Sequence, residues 1–272
     1  MVRNFVHVSK RDFLLNISAY GEVDDNKPCI IFVHGFKGFK DWGFGPYIYK
    51  FFEENGFYVL AFNFSHNGVG NALTEFTELD KFAENTFSLE VEELSEIISF
   101  AKTQTKNSKI YLLGHSRGGA ISLLTASKSN DVSAVVVWSS VATFDRYSGR
   151  QKEAWRKKGY FEVLNSRTKQ IMRLNISLLN DLERNKNGSL NIQNAVSWLN
   201  KPLLIVHGNQ DLAVPISEGQ QLFEWSDKNN TEFVSIEGAG HTFNCQHPFV
   251  GSNEKFETIL KTTYQFFNNI NK

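Results

Sequence analysis

Residues Ile110–Leu124 read IYLLGHSRGGAISLL, and this stretch decides the fold. An apolar run of strand character ends at Leu113, and a helical pattern starts close to Arg117. Between them Gly114, Ser116, Gly118 and Gly119 make a G-x-S-x-G turn. Small residues on both sides let a helix and a strand approach closely, which holds the serine in a strained, exposed turn. The hydroxyl then lies at a helix N-terminus, where free N–H groups and the dipole favour negative charge. The glycine spacing is neither G-x-G-x-x-G nor a Gly-Lys-Ser/Thr ending, so a phosphate-cradling turn does not fit. On its own the motif is common in glycine-containing turns. It becomes a catalytic site only with a base, an acid to orient that base, and donors for an oxyanion.

Outward from this turn, short β-branched or aromatic runs recur at Cys29–Val33, Phe57–Phe62, Lys109–Leu113, Ala134–Trp138, Leu203–Val206 and Glu232–Ile236. Continuous apolar runs of this length suit strands buried on both faces. Between them Phe87, Val91, Leu94, Ile98 and Ala101 form one apolar helical stripe; Phe256, Ile259, Leu260, Tyr264 and Phe267 form another. The alternation predicts a mostly parallel central sheet flanked by helices. Phe13, Leu15, Ile17 and Ala19 alternate with period two, which predicts an antiparallel strand or hairpin ahead of it. The rhythm breaks between residues 142 and 200. A basic helical stretch (Arg150–Lys158), a hairpin around Asn165–Thr168 and two helical segments near Ser177–Arg184 and Ile192–Leu199 fill that interval. It reads as a cap insertion at the sheet's rim within a single domain spanning residues 1–272. The basic run reads as a solvated helix face.

The other catalytic groups have candidates at strand ends. In PLLIVHGNQDLAVP a strand ends near His207 and Asp211 sits in the following turn; in EFVSIEGAGHTF a glycine-rich loop ends in His241. Histidine suits the base because its pKa lies near neutrality. Asp145, after the strand ending at Trp138, is the alternative acid. His34, His115 and His207 flank the strand-edge motifs, where packing or loop hydrogen bonds suit them. The amides of Arg117, after the serine, and Phe36, in the loop after CIIFVHGFKG, are the expected oxyanion-hole donors. The Arg117 guanidinium is expected to pair with a carboxylate.

The motifs HGFKG, GHSRGG, HGNQDLAVP and GAGH, in this order and on these strand ends, make the sequence resemble the α/β-hydrolase superfamily from Cys29 to His241. Within it the chain is similar to feruloyl and cinnamoyl esterases and to dienelactone hydrolases. It departs from the latter in carrying serine where they resemble a cysteine pattern. Aspartate at this turn, as in haloalkane dehalogenases and epoxide hydrolases, is also absent. The resemblance implies an α/β-hydrolase fold with Ser116 as nucleophile, Asp211 as acid and His241 as base. It further implies hydrolysis of carboxylic esters of small acyl or aromatic acids, with no metal or organic cofactor. A peptidase, thioesterase or acyltransferase using the same residues, or a non-catalytic binding protein, are the alternatives. Candidate substrate contacts are Trp42, His115, Trp138, Phe144 and Tyr147, with Phe44, His66, Asn67, Trp155, Tyr160, Phe161 and Trp198 as further aromatic or polar neighbours. The chain has 24 phenylalanines, so most aromatic rings must serve packing.

Composition narrows the partners. Twenty-nine basic side chains balance 29 acidic ones, which argues against broad attraction to nucleic acid or to a membrane surface. Cys29 and Cys245 are too few for a disulfide framework. Charges interrupt the first apolar residues, and no membrane-length apolar run occurs. The expectation is a soluble cytoplasmic protein acting on a small-molecule ester.

Overall fold

The computed structural model describes residues 2–24, 27–70, 73–106 and 108–271. Its central sheet has eight strands: β1 (Val2–Val8), β2 (Leu14–Tyr20), β3 (Cys29–Val33), β4 (Tyr58–Phe62), β5 (Ile110–His115), β6 (Val132–Trp138), β9 (Leu203–Gly208) and β10 (Thr231–Ile236). Their order is β1-β2-β4-β3-β5-β6-β9-β10. β1 pairs antiparallel with β2, and β2 antiparallel with β4; every later pairing is parallel. This is the expected parallel sheet with an antiparallel opening.

Both faces of the sheet are covered, which explains why the inner strands read as unbroken apolar runs. All residues of β3, β4, β5 and β9 are buried. One face carries Ile31, Val33, Leu112, Val135, Val137 and Ile205 beneath the helices α3 (Phe87–Gln104) and α4 (Arg117–Ala126). The other carries Ile30, Phe32, Tyr111, Leu113, Val136 and Leu204 beneath α1 (Gly45–Glu54) and α9 (Glu254–Asn271). The alternation follows from the period-two pleat. α3 begins at Thr86, whose side chain accepts from the Leu89 amide and caps the helix. Its apolar stripe buries Phe87, Leu94, Ile98 and Ala101 as the spacing predicts.

The same helix buries Glu93, which is only 1% exposed. Burial, helped by the charges of Glu90 and Glu96, pushes its carboxyl up to about 7, although the Ser65 hydroxyl and amide both donate to it. In the unfolded chain the same group ionises near 4.5. Between these values the folded protein keeps a proton that the unfolded chain has released. This contribution to stability is therefore full below pH 4.5 and lost as the pH rises through the window up to about 7. Glu93→Gln removes the titration, so urea unfolding should show the variant gaining on the native protein from pH 4.5 to 7. Parallel stability profiles would contradict it.

Between β6 and β9 the chain builds α5 (Gly149–Lys158), an antiparallel hairpin of β7 (Tyr160–Leu164) and β8 (Ile171–Asn175), α6 (Ile176–Asn185) and α7 (Ile192–Ser197). Ser148 and Gln151 form a reciprocal capping box at the start of α5, and Gly159 ends it in a left-handed conformation. Trp155 supplies this layer with its own small core: it is 1% exposed and packs against Tyr147 and Phe161 at 5.0 and 5.4 Å. Burying such a side chain contributes about 2–3 kcal/mol. Two basic residues of α5 are paired outward, Arg156 with Glu183 and Lys158 with Glu162, on the solvated face expected from the sequence; Lys152 instead turns inward to Asp145. No helix among the described residues is long and apolar enough to cross a membrane. α2 (Leu79–Glu84) and α8 (Ile216–Trp225) complete the helices described.

Candidate active site

Because β3, β5, β9 and β10 run parallel, the loops after their carboxyl ends gather along one edge of the sheet, where open α/β sheets place ligands. Ser116 follows β5 and precedes α4 with φ 58° and ψ −124°, a strained conformation for a non-glycine residue. The flanking glycines make the turn possible. A Cβ on Gly118 would lie 2.2 Å from the Val33 carbonyl oxygen, and one on Gly114 2.5 Å from that of Gly118. Neither close approach tolerates a side chain.

His241, in the loop after β10, meets Ser116 from the side. The Ser116 hydroxyl donates to His241 Nε2 at 3.0 Å, while His241 Nδ1 donates to Asp211 Oδ2 at 2.7 Å. The Asp211 side chain is wholly buried, and its Oδ1 accepts from the Ala213 and Val214 amides at 2.9 and 2.8 Å. Burial works to raise its carboxyl. His207, His241 and the Val214 amide overcome this and hold it well below the usual carboxylate range. Asp211 therefore stays an anion that fixes the His241 tautomer. His207 is fully buried and donates from Nε2 to the Val214 carbonyl at 2.9 Å, shaping the Asp211 turn.

Asp145, the alternative acid, lies elsewhere. It pairs with Lys152 at 2.5 Å and Lys186 at 3.1 Å, which leaves no role at His241. Asp145→Asn should leave the reactivity of Ser116 toward a fluorophosphonate probe unchanged; a large loss would place Asp145 in the array around His241.

The loop after β3 lies across the cleft. His34 donates from Nδ1 to the Gly35 carbonyl at 3.0 Å and accepts the Phe64 amide at Nε2, so the ring fixes the loop in its neutral form. Burial lowers its pKa to about 4. Among the described residues, neither the Phe36 nor the Arg117 amide donates in a loop or turn hydrogen bond. The Arg117 guanidinium is paired as expected, 3.3 Å from Glu90. It also lies 4.2 Å from the Phe36 ring centroid and 4.9 Å from that of Phe87. This stack ties the loop carrying Phe36 to the start of α4.

Two chambers meet at Ser116. A cavity of about 190 Å³ runs past Phe36, Lys37, Trp42 and Phe44 to Asn165 and Arg167 at the tip of the β7–β8 hairpin. A second, of about 440 Å³, is lined by Phe87, Phe144, Arg146, Tyr147 and Val214. Four of the expected contacts thus border the cleft: Trp42, His115, Phe144 and Tyr147. His115 donates from Nε2 to the His241 carbonyl at 2.9 Å; burial and the His241 charge lower its pKa to about 3, so it stays neutral. Trp138 requires correction. Its backbone is at the edge, but the strand pleat turns the indole toward α9, where Nε1 donates to Thr263 at 3.0 Å and exposure is zero. His66 contacts Ser65 and Phe13, Asn67 accepts from the Val69 amide, and Trp198 is 67% exposed. Lys37, Arg167 and Phe87 line the chambers without having been expected there. Lys37 stood in the quoted HGFKG, whereas the position of Arg167 depends on how the hairpin folds back.

The sheet order, the strained serine turn and the serine–histidine–aspartate contacts at the carboxyl edge define an α/β protein of the hydrolase architecture. The chain belongs to the α/β-hydrolase-fold family, whose profile matches residues 28–172. Among solved structures it is similar to the ferulic-acid-bound Est1E of Butyrivibrio proteoclasticus, at 19% identity over 97% of this chain and 98% of that one, TM-score 0.74. It is also similar to a monoacylglycerol lipase of Paleococcus ferrophilus, at 16% identity over 94% and 99% of the two chains, TM-score 0.69. A dienelactone hydrolase of Anabaena variabilis aligns at 15% identity over 98% of both, TM-score 0.64. Identities this low speak for a shared fold. No curated protein matches the sequence significantly.

Proposed function

We propose that the protein is a serine hydrolase that cleaves carboxylic esters of small acyl or aromatic acids. The observation that carries this reading is the contact chain Ser116–His241–Asp211, at 3.0 and 2.7 Å. His241 takes the proton as Ser116 attacks the carbonyl, and Asp211 stabilises the imidazolium. The amides of Phe36 and Arg117 receive the oxyanion; losing one such donor costs about a hundred- to a thousand-fold in kcat. His241 then protonates the leaving alcohol, and water hydrolyses the acyl-serine by the reverse sequence. The β7–β8 hairpin and its flanking helices act as the cap, and Trp42, His115, Phe144 and Tyr147 border the bound ester. Est1E, solved with ferulic acid, supports an aromatic acyl group as one substrate class. The setting is expected to be the cytoplasm.

The test is labelling by a fluorophosphonate probe, read by intact mass and peptide mapping, followed by 4-nitrophenyl esters of increasing acyl length. Modification at Ser116 with turnover of short esters is the expected result. A folded protein that neither labels nor turns over would overturn the proposal.

A further inference from the structure

The two chambers differ in how their arginines are compensated. In the larger one Arg117 is paired with Glu90 and Arg146 with Glu218, and Lys37 lies on the wall shared by both chambers. In the smaller one Lys37 and Arg167 line the wall, together with no aspartate or glutamate among the described residues. The Lys37 ammonium donates to the Leu164 carbonyl at 3.1 Å, a neutral partner. The Arg167 guanidinium lies over the rings of Trp42 and Phe76, at 5.7 and 5.9 Å, and forms no ion pair among the described residues. Asn165 lines the same cavity. Asn165 is 3% exposed; its Oδ1 accepts the Arg167 amide at 3.3 Å, and its Nδ2 has no hydrogen-bond partner. Arg167 is exposed and Lys37 half-buried, so both cations are free to take an anion, while the buried Asn165 amide is costly to leave unsatisfied.

We propose that the ester hydrolysed at Ser116 carries a carboxylate remote from its reacting carbonyl, and that Arg167, Lys37 and Asn165 hold this group in the smaller chamber. The argument rests on the hydrolase reading above, because the chamber opens onto Ser116 and His241. A guanidinium presents a planar fork that meets a carboxylate through two parallel N–H bonds, with the ammonium as a point charge beside it. Burial and the charge of Arg167 depress the Lys37 pKa, as expected for cations without a counter-charge. The tip of the cap hairpin would thereby choose the substrate.

The test compares 4-nitrophenyl hydrogen adipate with its neutral methyl ester, and pairs this with calorimetric binding of adipic acid monoanilide and its methyl ester, which need no turnover. The free acids should exceed the neutral forms by at least about tenfold in kcat/KM and in affinity, as charge-assisted hydrogen bonds imply. Arg167→Met and Lys37→Met should bring both ratios toward one, and Arg167→Lys should restore part of the preference. Circular dichroism checks that each variant is folded. Ratios near one in the native protein, or ratios unmoved by Arg167→Met, overturn the proposal even if esters are hydrolysed. Tighter binding of phenyl phosphate than of phenylacetate would overturn the choice of carboxylate. Anilide binding that prefers the acid, with no ester turnover, supports the anion site and instead defeats the hydrolase reading.

Discussion

Ser116→Ala should lower kcat for a 4-nitrophenyl ester by about a million-fold, the scale seen when a serine nucleophile is removed from a comparable array. The substitution takes away one oxygen and its 3.0 Å contact to His241 Nε2. The fold should tolerate this, because the turn is held by Gly114 and Gly118 and by the Ser116 amide, which donates to the Trp138 carbonyl at 2.8 Å. Alanine retains that amide. It must still adopt φ 58°, so its strain is the serine's own. The expected variant is folded, binds ester and neither turns over nor reacts with the fluorophosphonate probe. Assay by stopped-time product release, with purification from a host free of background esterase, distinguishes a true residual rate from contamination. Turnover within tenfold of the native protein would mean that another group attacks the ester.

The legibility of this protein in its sequence follows the range over which each feature is encoded. The inner strands were legible because a strand buried on both faces needs an unbroken apolar run, and Cys29–Val33 and Leu203–Val206 have little else to be. The turns at Ser116 and Asp211 were legible because each follows such a run; His241 follows β10, an edge strand of which only Ile236 is buried, and its signal is the glycine-rich loop GAGH instead. Parallel pairing then brings their ends to one edge without further information. The same burial hid the orientation of Trp138. A strand with one wet face announces its pleat through alternating polarity, but VSAVVVW offers polar residues only at its start, so nothing indicates whether the last indole faces the cleft or α9. α1 is hard to read from sequence for a related reason: GPYIYKFFEE is so aromatic that its helical spacing resembles a buried strand as much as an amphipathic helix. Arg167 was beyond sequence reasoning altogether. The hairpin around Asn165–Thr168 could be read from turn residues, whereas its position above Trp42 depends on contacts such as Gln170 with the Phe76 carbonyl, 94 residues away in the chain.

Asp211→Asn should lower kcat by about ten-thousand-fold while leaving the backbone almost unchanged. Asparagine matches aspartate in shape, and its oxygen can keep the bonds from the Ala213 and Val214 amides that order the turn. The other arm then becomes an amide NH₂ facing His241 Nδ1. Two donors cannot share that position, so the imidazole takes the opposite tautomer, with the proton on Nε2. In that form Nε2 no longer accepts from Ser116, and the base is lost although all three side chains remain in place. Ester kinetics from about pH 6 to 9 should show the loss at every pH where the native enzyme is active. Stability gives a second, independent readout. The Asp211 carboxyl ionises well below its unfolded value, so in the native protein it contributes stability at neutral pH that disappears as acidification passes through its folded pKa. Asparagine removes that dependence, and the variant's unfolding midpoint should fall less steeply than the native one on the acid side. A variant that loses activity but keeps the native acid profile would place the depressed carboxyl elsewhere. One that keeps activity would mean that Asp211 does not set the His241 tautomer.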